Sequence, residues 1–180
     1  MRTLVLTLIV AASILVVAPV AEAHGRLLAP RGKCGQAERK IWMSGGAQQR
    51  AMHCLVRYAR RRAGRARLRG SRQLNRAAEK KANRIVACRR FSHTPCGRSF
   101  SSTYRRTGYG RGSWAVGEVI AWGSRRRGSA RSTIHRWLHS SSHRRTIVRR
   151  WRDVAVGRRH ERSLWGYRRV TVWVGSFGRP

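Results

Sequence analysis

Glu118 is the one charged residue in an otherwise apolar segment, residues 115–122. A buried carboxylate is costly unless it is paired, hydrogen-bonded or bound to a metal ion. His93 is the best partner on offer, since a His–Glu pair can orient a general base or hold a divalent metal ion. Three roles are therefore open for this pair: a structural or ligand-binding contact, a metal site, or catalysis. We favour the first role and place a metal site second. Catalysis comes last, because the sequence contains no nucleophile motif such as G-x-S-x-G.

Two other histidine arrangements are candidates for metal binding. His135, His139 and His143 are spaced i, i+4, i+8, so that two of them could share one metal ion on a helix face. No H-E-x-x-H motif joins them, and the serine run at 140–142 is expected to break the helix before His143. A metal site on this stretch is therefore not the favoured interpretation. His24 would be able to chelate copper as an N-terminal residue, but it stands alone.

The net charge is extreme, with 41 Lys and Arg against 6 Asp and Glu, or +35. This balance excludes an enzyme for acidic substrates and a calcium-binding protein that depend on many carboxylates. A surface of this charge attracts polyanions, such as teichoic-type cell-wall polymers, anionic lipids, extracellular DNA or acidic polysaccharides. No groove-reading helix or stacking motif is recognisable, so we expect salt-sensitive binding without nucleic-acid sequence specificity. The alternative is a compositional arginine excess that gives only a soluble surface.

The N-terminus predicts export. Arg2 precedes an apolar stretch at 4–20, and Ala21-Glu22-Ala23 has the small-x-small form of a cleavage site. We therefore predict a signal peptide over 1–23, a mature chain that starts at His24, and a secreted or envelope protein that is not an integral membrane protein after cleavage. An uncleaved anchor is the alternative interpretation.

Four cysteines in an exported chain predict two disulfides. Sequence alone allows three pairings of Cys34, Cys54, Cys88 and Cys96. A Cys88–Cys96 bridge would staple a short loop, and Cys34–Cys54 would then tie an N-terminal arm to the first helix. A zinc site is the alternative, but the spacings lack the paired short knuckles of a zinc ribbon.

Hydrophobic periodicity predicts the elements that position these residues. We expect helices at 47–63, from the N-cap Ser71 to about 89, at 100–107, and from the N-cap Ser132 to His139. Loops are expected at 91–98 and 123–130. A strand is predicted at 153–157, and the β-branched run at 170–174 predicts a buried central strand. Four tryptophans are expected in the core (Trp122, Trp137, Trp151 and Trp173), and Trp114 is the expected exposed aromatic. The fold class is α+β, with helices flanking a small, mostly antiparallel sheet.

Several short motifs occur in a fixed order: Phe91-Ser92-His93-Thr94, then Gly117-Glu118-Val119-Ile120-Ala121, then Trp137 to Val148 with the pattern W-x-x-S-x-x-H-R-x-x-I, and Val154-Ala155-Val156-Gly157. Together they resemble the bacterial CAP superfamily (cysteine-rich secretory, antigen 5 and pathogenesis-related proteins, also called SCP-like). The resemblance covers about 47–178 and implies an α-β-α sandwich. Residues 24–46 are then an irregular N-terminal arm. Val119, Ser142 and Ala155 depart from the usual Asn, Gly and Gly.

The resemblance implies a cavity that binds zinc in some relatives. His93 and Glu118 match the family motifs, His143 matches the S-x-x-H-R motif, and Asp153 is the nearest candidate for a second acid. The chain is thus expected to be a secreted protein that binds a ligand, or a metal ion such as zinc, without established catalysis. A secreted metal-dependent hydrolase or protease and a cationic polyanion-binding effector are the alternatives.

Overall fold

The computed structural model describes residues 26–110 and 114–180. The predicted signal peptide and His24 lie outside the described residues. The helices are α1 Gly45–Arg62, α2 Arg72–Ala87, α3 Ser102–Arg106, α4 Ala130–His139 and α5 Ser141–Val148. The strands are β1 Arg69–Gly70, β2 Ala115–Ser124, β3 Asp153–Leu164 and β4 Tyr167–Arg179. No helix within the described ranges is long and apolar enough to cross a membrane.

The four strands form one sheet in the order β1-β3-β4-β2. β3 and β4 form an antiparallel hairpin, whose turn residues Trp165 and Gly166 both have positive φ (51° and 79°). Such a two-residue turn matches the twist of the flanking strands. β2 pairs with β4 in antiparallel register, and only the short β1 pairs in parallel. The expected mostly antiparallel sheet is confirmed, and β4 is its buried central strand.

Helices cover both faces of the sheet. α1, α4 and α5 pack on one face around Val119, Trp137 and Trp173. α2 packs on the other face around Ile120 and Val174, with Tyr104 of α3 in the same cluster. Because successive side chains of a strand point to opposite faces, Glu118 lies on the same side as Ile120, toward α2 and α3. The structure is therefore the predicted α-β-α sandwich.

Of the two predicted helix N-caps, Ser71 and Ser132, the structure confirms only the first. The Ser71 hydroxyl accepts a hydrogen bond from the Leu74 amide (3.3 Å), so its predicted N-cap role is confirmed. The predicted cap at Ser132 is wrong, because the Ser129 hydroxyl accepts from the Ser132 amide (3.2 Å) and α4 begins at Ala130. The expected linker at 123–130 is also wrong, since its first residues complete β2 and a 3-10 turn, Arg125–Gly128, follows.

Both disulfides that the cysteine spacing suggested are present, Cys34–Cys54 and Cys88–Cys96. The N-terminal segment has a second anchor in Glu38, whose side chain is fully buried. Its carboxylate accepts from the Gly32 amide (2.7 Å) and pairs with Arg131 of α4 (3.3 Å). The segment before α1 is thus fixed to the domain by a disulfide and an ion pair.

The expected exposed aromatic, Trp114, is instead half-buried against the α2/α3 side of the core. Trp137, Trp151 and Trp173 are buried as expected, while Trp122 is only half-buried. Three large apolar side chains of the described residues are exposed: Trp42 (77%), Tyr167 (52%) and Phe91 (42%). The sequence gives no periodic signal at Trp42, since it lies in the irregular segment before α1.

Candidate functional site

Glu118 lies on β2 in register with Ser176 of β4. Its side chain is fully buried, whereas the side chain of His93 is 45% exposed. His93 lies in the loop between α2 and α3, and the Cys88–Cys96 disulfide spans that loop. The structure therefore brings a surface imidazole and an interior carboxylate together from distant parts of the sequence.

Both oxygens of the Glu118 carboxylate are hydrogen-bonded. His93 Nδ1–H donates to Oε1 (2.7 Å), and the Tyr104 hydroxyl donates to Oε2 (2.5 Å). Lys81 Nζ lies 3.7 Å from the same Oε2 and donates to the His93 carbonyl oxygen (2.6 Å). Burial and the negative charge of Glu118 raise the pKa of Tyr104 well above its usual value. Burial lowers the pKa of Lys81, while Glu118 opposes this shift.

Sequence reasoning missed Lys81 and Tyr104. Lys81 had a detectable signal, because it continues the apolar stripe of α2 seven residues after Leu74 and four after Ala77. A lysine in such a stripe needs a buried counter-charge. Tyr104 lies in the short helix α3 and gave no comparable signal.

The other two predicted site residues do not contact the Glu118 carboxylate. His143 lies on α5 and lines the groove described below, and burial and the charge of His93 lower its pKa. Asp153 instead accepts from the Tyr109 hydroxyl (3.0 Å) and pairs with Arg69 (3.5 Å). The structure therefore does not place Asp153 in contact with the Glu118 carboxylate.

A zinc ion does not fit at Glu118 in this arrangement. The carboxylate already has three partners, and one of them, Lys81, carries the same sign of charge as the metal. Across residues 26–110 and 114–180 there is no group of three His, Cys, Asp or Glu residues that could hold a metal ion. His135 and His139 are exposed, and their rings stack 4.0 Å apart on α4. The zinc site stays a prediction, which the donor geometry at Glu118 does not favour.

A groove of about 480 Å³ runs along the free edge of β2. We call it the aromatic groove, and its lining includes Phe91, Trp122, Tyr167, His143, Arg127 and Arg136. The ring of Trp122 lies 5.1 Å from that of Tyr167 and 5.2 Å from that of Trp165. Phe91 packs edge-on against Trp165 at 6.2 Å. Aromatic rings in contact thus form a partly exposed wall.

The His93–Glu118 contact positions one wall of this groove. Phe91 is two residues before His93, in the loop that the disulfide, Glu118 and Lys81 hold in place. The Trp165 indole also donates to the Arg89 carbonyl oxygen (2.7 Å) at the start of the loop. Side chains that are already held in place lose less conformational entropy when a ligand binds, which favours binding.

Two guanidinium groups lie on the same groove. Arg136 donates to the carbonyl oxygens of Trp122 (2.8 Å) and Arg127 (3.1 Å), so its orientation is fixed. Its pKa is lowered by burial and by the neighbouring charge of Arg127. Neither arginine forms an ion pair with any part of the chain that the structure describes. The groove therefore combines an apolar wall with two uncompensated positive charges.

Comparison with known proteins agrees with the fold and the motifs. The cysteine-rich secretory protein (CAP) family matches residues 53–177. An extracellular protein containing an SCP domain from Bacillus anthracis has a similar structure, with a TM-score of 0.59 and 16% identity over 77% of this chain. The match covers 44% of that longer chain. An outer surface protein from Borrelia burgdorferi has a TM-score of 0.61 and 16% identity over 76% of this chain and 96% of its own. No curated protein sequence gives a significant match.

The family match over most of the chain shows that this protein belongs to the cysteine-rich secretory protein, or CAP, family.

Proposed function

We propose that this protein is a secreted binding protein whose aromatic groove takes a ligand with an apolar body and an anionic group. One observation carries the proposal: the groove places exposed aromatic rings beside two arginines that have no carboxylate partner in the described chain. An apolar ligand body would cover Phe91 and Tyr167, and its anionic group would neutralise Arg127 and Arg136. Pockets of this kind, apolar with a few oriented polar groups, are typical of ligand sites.

The His93–Glu118 pair acts in this proposal as a positioning contact. Glu118 is enclosed and does not line the groove, while His93 fixes the loop that carries Phe91. Export is proposed from the predicted signal peptide, and the two disulfides support an oxidising compartment. The two similar structures are those of an extracellular protein and an outer surface protein, which is consistent with this location.

The hydrolase alternative has one supporting feature, which is a histidine oriented by a carboxylate. The hydroxyl groups close to it are already engaged: Ser92 with Thr94, and Tyr104 with Glu118. The metal-dependent hydrolase would use a metal-bound water, and the donor set at Glu118 does not favour a metal ion. Binding is accordingly the better-supported function, and zinc titration separates the two.

Isothermal titration calorimetry tests the groove with three probes: laurate, dodecyltrimethylammonium and acetate. Laurate is expected to bind. Dodecyltrimethylammonium, which has an alkyl chain of the same length but a positive charge, and acetate, which is an anion without a long chain, are not expected to bind. Phe91→Ser and Tyr167→Ser should each weaken laurate binding by about tenfold, because each removes an aromatic contact. Trp42→Ser, which changes an exposed aromatic outside the groove, is the matched control and should bind laurate normally.

Two results would contradict the proposal. Equal laurate affinity in the wild type, Phe91→Ser and Tyr167→Ser would place the ligand elsewhere. Micromolar zinc binding that is lost in both His93→Ala and Glu118→Ala would favour the metal-dependent hydrolase instead.

A further inference from the structure

A second and larger cavity opens beside the aromatic groove, between the segment before α1, the turn after β2 and the start of β4. Its volume is about 1200 Å³, and Trp42 stands on its wall. Nine of its fourteen lining residues are Arg or Lys, and none is Asp or Glu. A neighbouring cavity of about 410 Å³ shares Trp42, Arg168 and Arg169 and adds His160 and Arg162. We call this continuous surface the arginine cleft.

The positive charge of the arginine cleft is almost uncompensated. Of the nine basic residues in the larger cavity, Arg131 alone forms an ion pair within the described ranges, with Glu38 at 3.3 Å. A cleft lined by one sign of charge attracts ions of the opposite sign, and a polyanion that neutralises several arginines also releases its own counterions. The extent of the cleft suits an anionic chain better than a single small anion.

Trp42 is held outward on a fixed turn. The Met43 amide donates to the Lys40 carbonyl oxygen (3.3 Å), which closes the turn around Trp42. The buried amide of Gln48 donates to the carbonyl oxygens of Ile41 (2.8 Å) and Met43 (2.6 Å), on either side of it. The indole is nevertheless 77% exposed. An exposed ring on a constrained turn is a preformed surface for stacking a planar ligand group.

We infer that the arginine cleft binds single-stranded nucleic acid without sequence specificity. The arginines contact successive phosphates, and a base stacks on Trp42, which is the combination that sequence-independent single-strand binding uses. Cell-wall polymers of the teichoic type, acidic polysaccharides and anionic lipid head groups supply the charge but carry no base to stack. Trp42 therefore provides the stacking platform that the sequence motifs did not reveal. The arginine cleft shares Ser124 and Arg127 with the aromatic groove. The inference rests on Trp42 and on the other arginines, and it does not depend on the ligand proposed for the groove.

Fluorescence anisotropy with two labelled probes tests the inference. One probe is oligothymidine of about 20 nucleotides, and the other is an abasic sugar-phosphate chain of the same length and charge. The wild type should bind oligothymidine at least about tenfold more tightly than the abasic chain. Trp42→Ala should remove this difference without weakening the abasic chain, and Trp42→Phe should keep most of it. Circular dichroism of each variant verifies that the fold is retained.

A second pair of variants tests the charges. Arg168→Gln combined with Arg169→Gln should weaken both probes and reduce the slope of log affinity against log salt by about 1.4, or about 0.7 for each lost phosphate contact. Arg72→Gln combined with Arg76→Gln removes two exposed charges on α2, outside the cleft, and should leave the slope nearly unchanged. The inference is overturned if the abasic chain binds the wild type as tightly as oligothymidine does. It is also overturned if Trp42→Ala keeps the preference for oligothymidine. A third contradicting result is a salt slope that falls as much in the Arg72→Gln/Arg76→Gln variant as in the Arg168→Gln/Arg169→Gln variant.

Discussion

Lys81 of α2 and Glu118 of β2 form a buried ion pair, with Nζ 3.7 Å from Oε2 and side chains that are 2% and 0% exposed. The pair joins one outer helix layer to the edge strand of the sheet. Both residues also contact His93. Glu118 accepts a hydrogen bond from the His93 imidazole, and Lys81 donates one to the His93 main-chain carbonyl oxygen. The two charges thus fix the loop that carries Phe91 as well as neutralising each other.

Glu118→Gln is expected to destabilise the protein by about 3–5 kcal/mol, because it leaves the Lys81 ammonium buried without a counter-charge. Lys81→Met should cost less, since Glu118 keeps its hydrogen bonds from His93 and Tyr104. The double variant should be more stable than Glu118→Gln alone, because it removes the orphaned charge. Guanidinium denaturation near pH 7 measures all three differences.

Glu161→Gln is the control for this comparison. Glu161 pairs with Arg159 at 2.6 Å, but both side chains are partly exposed. An exposed pair contributes about 0–1 kcal/mol, so the loss should be small. Equal losses in Glu118→Gln and Glu161→Gln would show that the Lys81–Glu118 pair does not support the fold.

The layers of the fold could be predicted because their signals are periodic. The stripe from Leu74 to Ile85 predicts a helix with one buried face, and the β-branched run at 170–174 predicts a strand buried on both faces. Helix boundaries carry no periodic signal, so they depend on the choice of N-cap residue. Ser129 and Ser132 are equally good N-caps by residue type, so the sequence alone does not choose between them. In the structure β2 ends at Ser124, a 3-10 turn follows, and Ser129 caps the helix.

The candidate site could be predicted only in part. A carboxylate in an apolar strand requires a partner, and this requirement led from Glu118 to His93. The arginine cleft could not be found in the same way, because Trp42, Arg125 and Arg168 come together from three distant segments. Their proximity depends on the anchoring of the segment before α1 by Glu38 and Arg131, a contact between residues 93 positions apart.

Three partly buried histidines are expected to make the protein less stable as the pH falls below about 6.5, the usual pKa of the imidazole. Burial, the largest cause, lowers the pKa of each: His53, His143 and His160. A lowered pKa in the folded state means that the unfolded chain binds more protons in this range. Their stabilising contribution is therefore present above pH 6.5 and is lost as the pH falls through the folded-state pKa values.

The measurement is the guanidinium midpoint between about pH 7 and pH 5, above the range in which carboxyl groups ordinarily titrate. His143→Gln should flatten this dependence, because the residue that replaces the histidine does not titrate. Ser142→Ala changes the exposed neighbour of His143 and should keep the wild-type slope. A slope that His143→Gln leaves unchanged would remove His143 from the explanation.

Gly157 of β3 is expected to tolerate no side chain, because α2 passes directly over it. A Cβ atom there would lie 2.2 Å from the Ala78 carbonyl oxygen and 2.3 Å from its carbonyl carbon, which are main-chain atoms that move only with the helix. Gly157→Ala should therefore cost at least about 3 kcal/mol or prevent folding, as expected for a forced overlap in a packed core. The experiment is thermal and guanidinium unfolding beside Gly70→Ala.

Gly70 is the matched control because a Cβ atom there meets nothing within 4 Å and the residue does not need positive φ. Its replacement should change stability by no more than about 0.5 kcal/mol. The contrast also bears on the motif Val154-Ala155-Val156-Gly157, in which alanine stands at the first glycine position of the family pattern. Ala155 is buried in the α2/α3 side of the core, so this position accepts a methyl group, whereas Gly157 lies directly under the main chain of α2. If Gly157→Ala were as stable as Gly70→Ala, α2 would have to be free to move away from β3, and the fixed position of Lys81 over Glu118 would lose its basis.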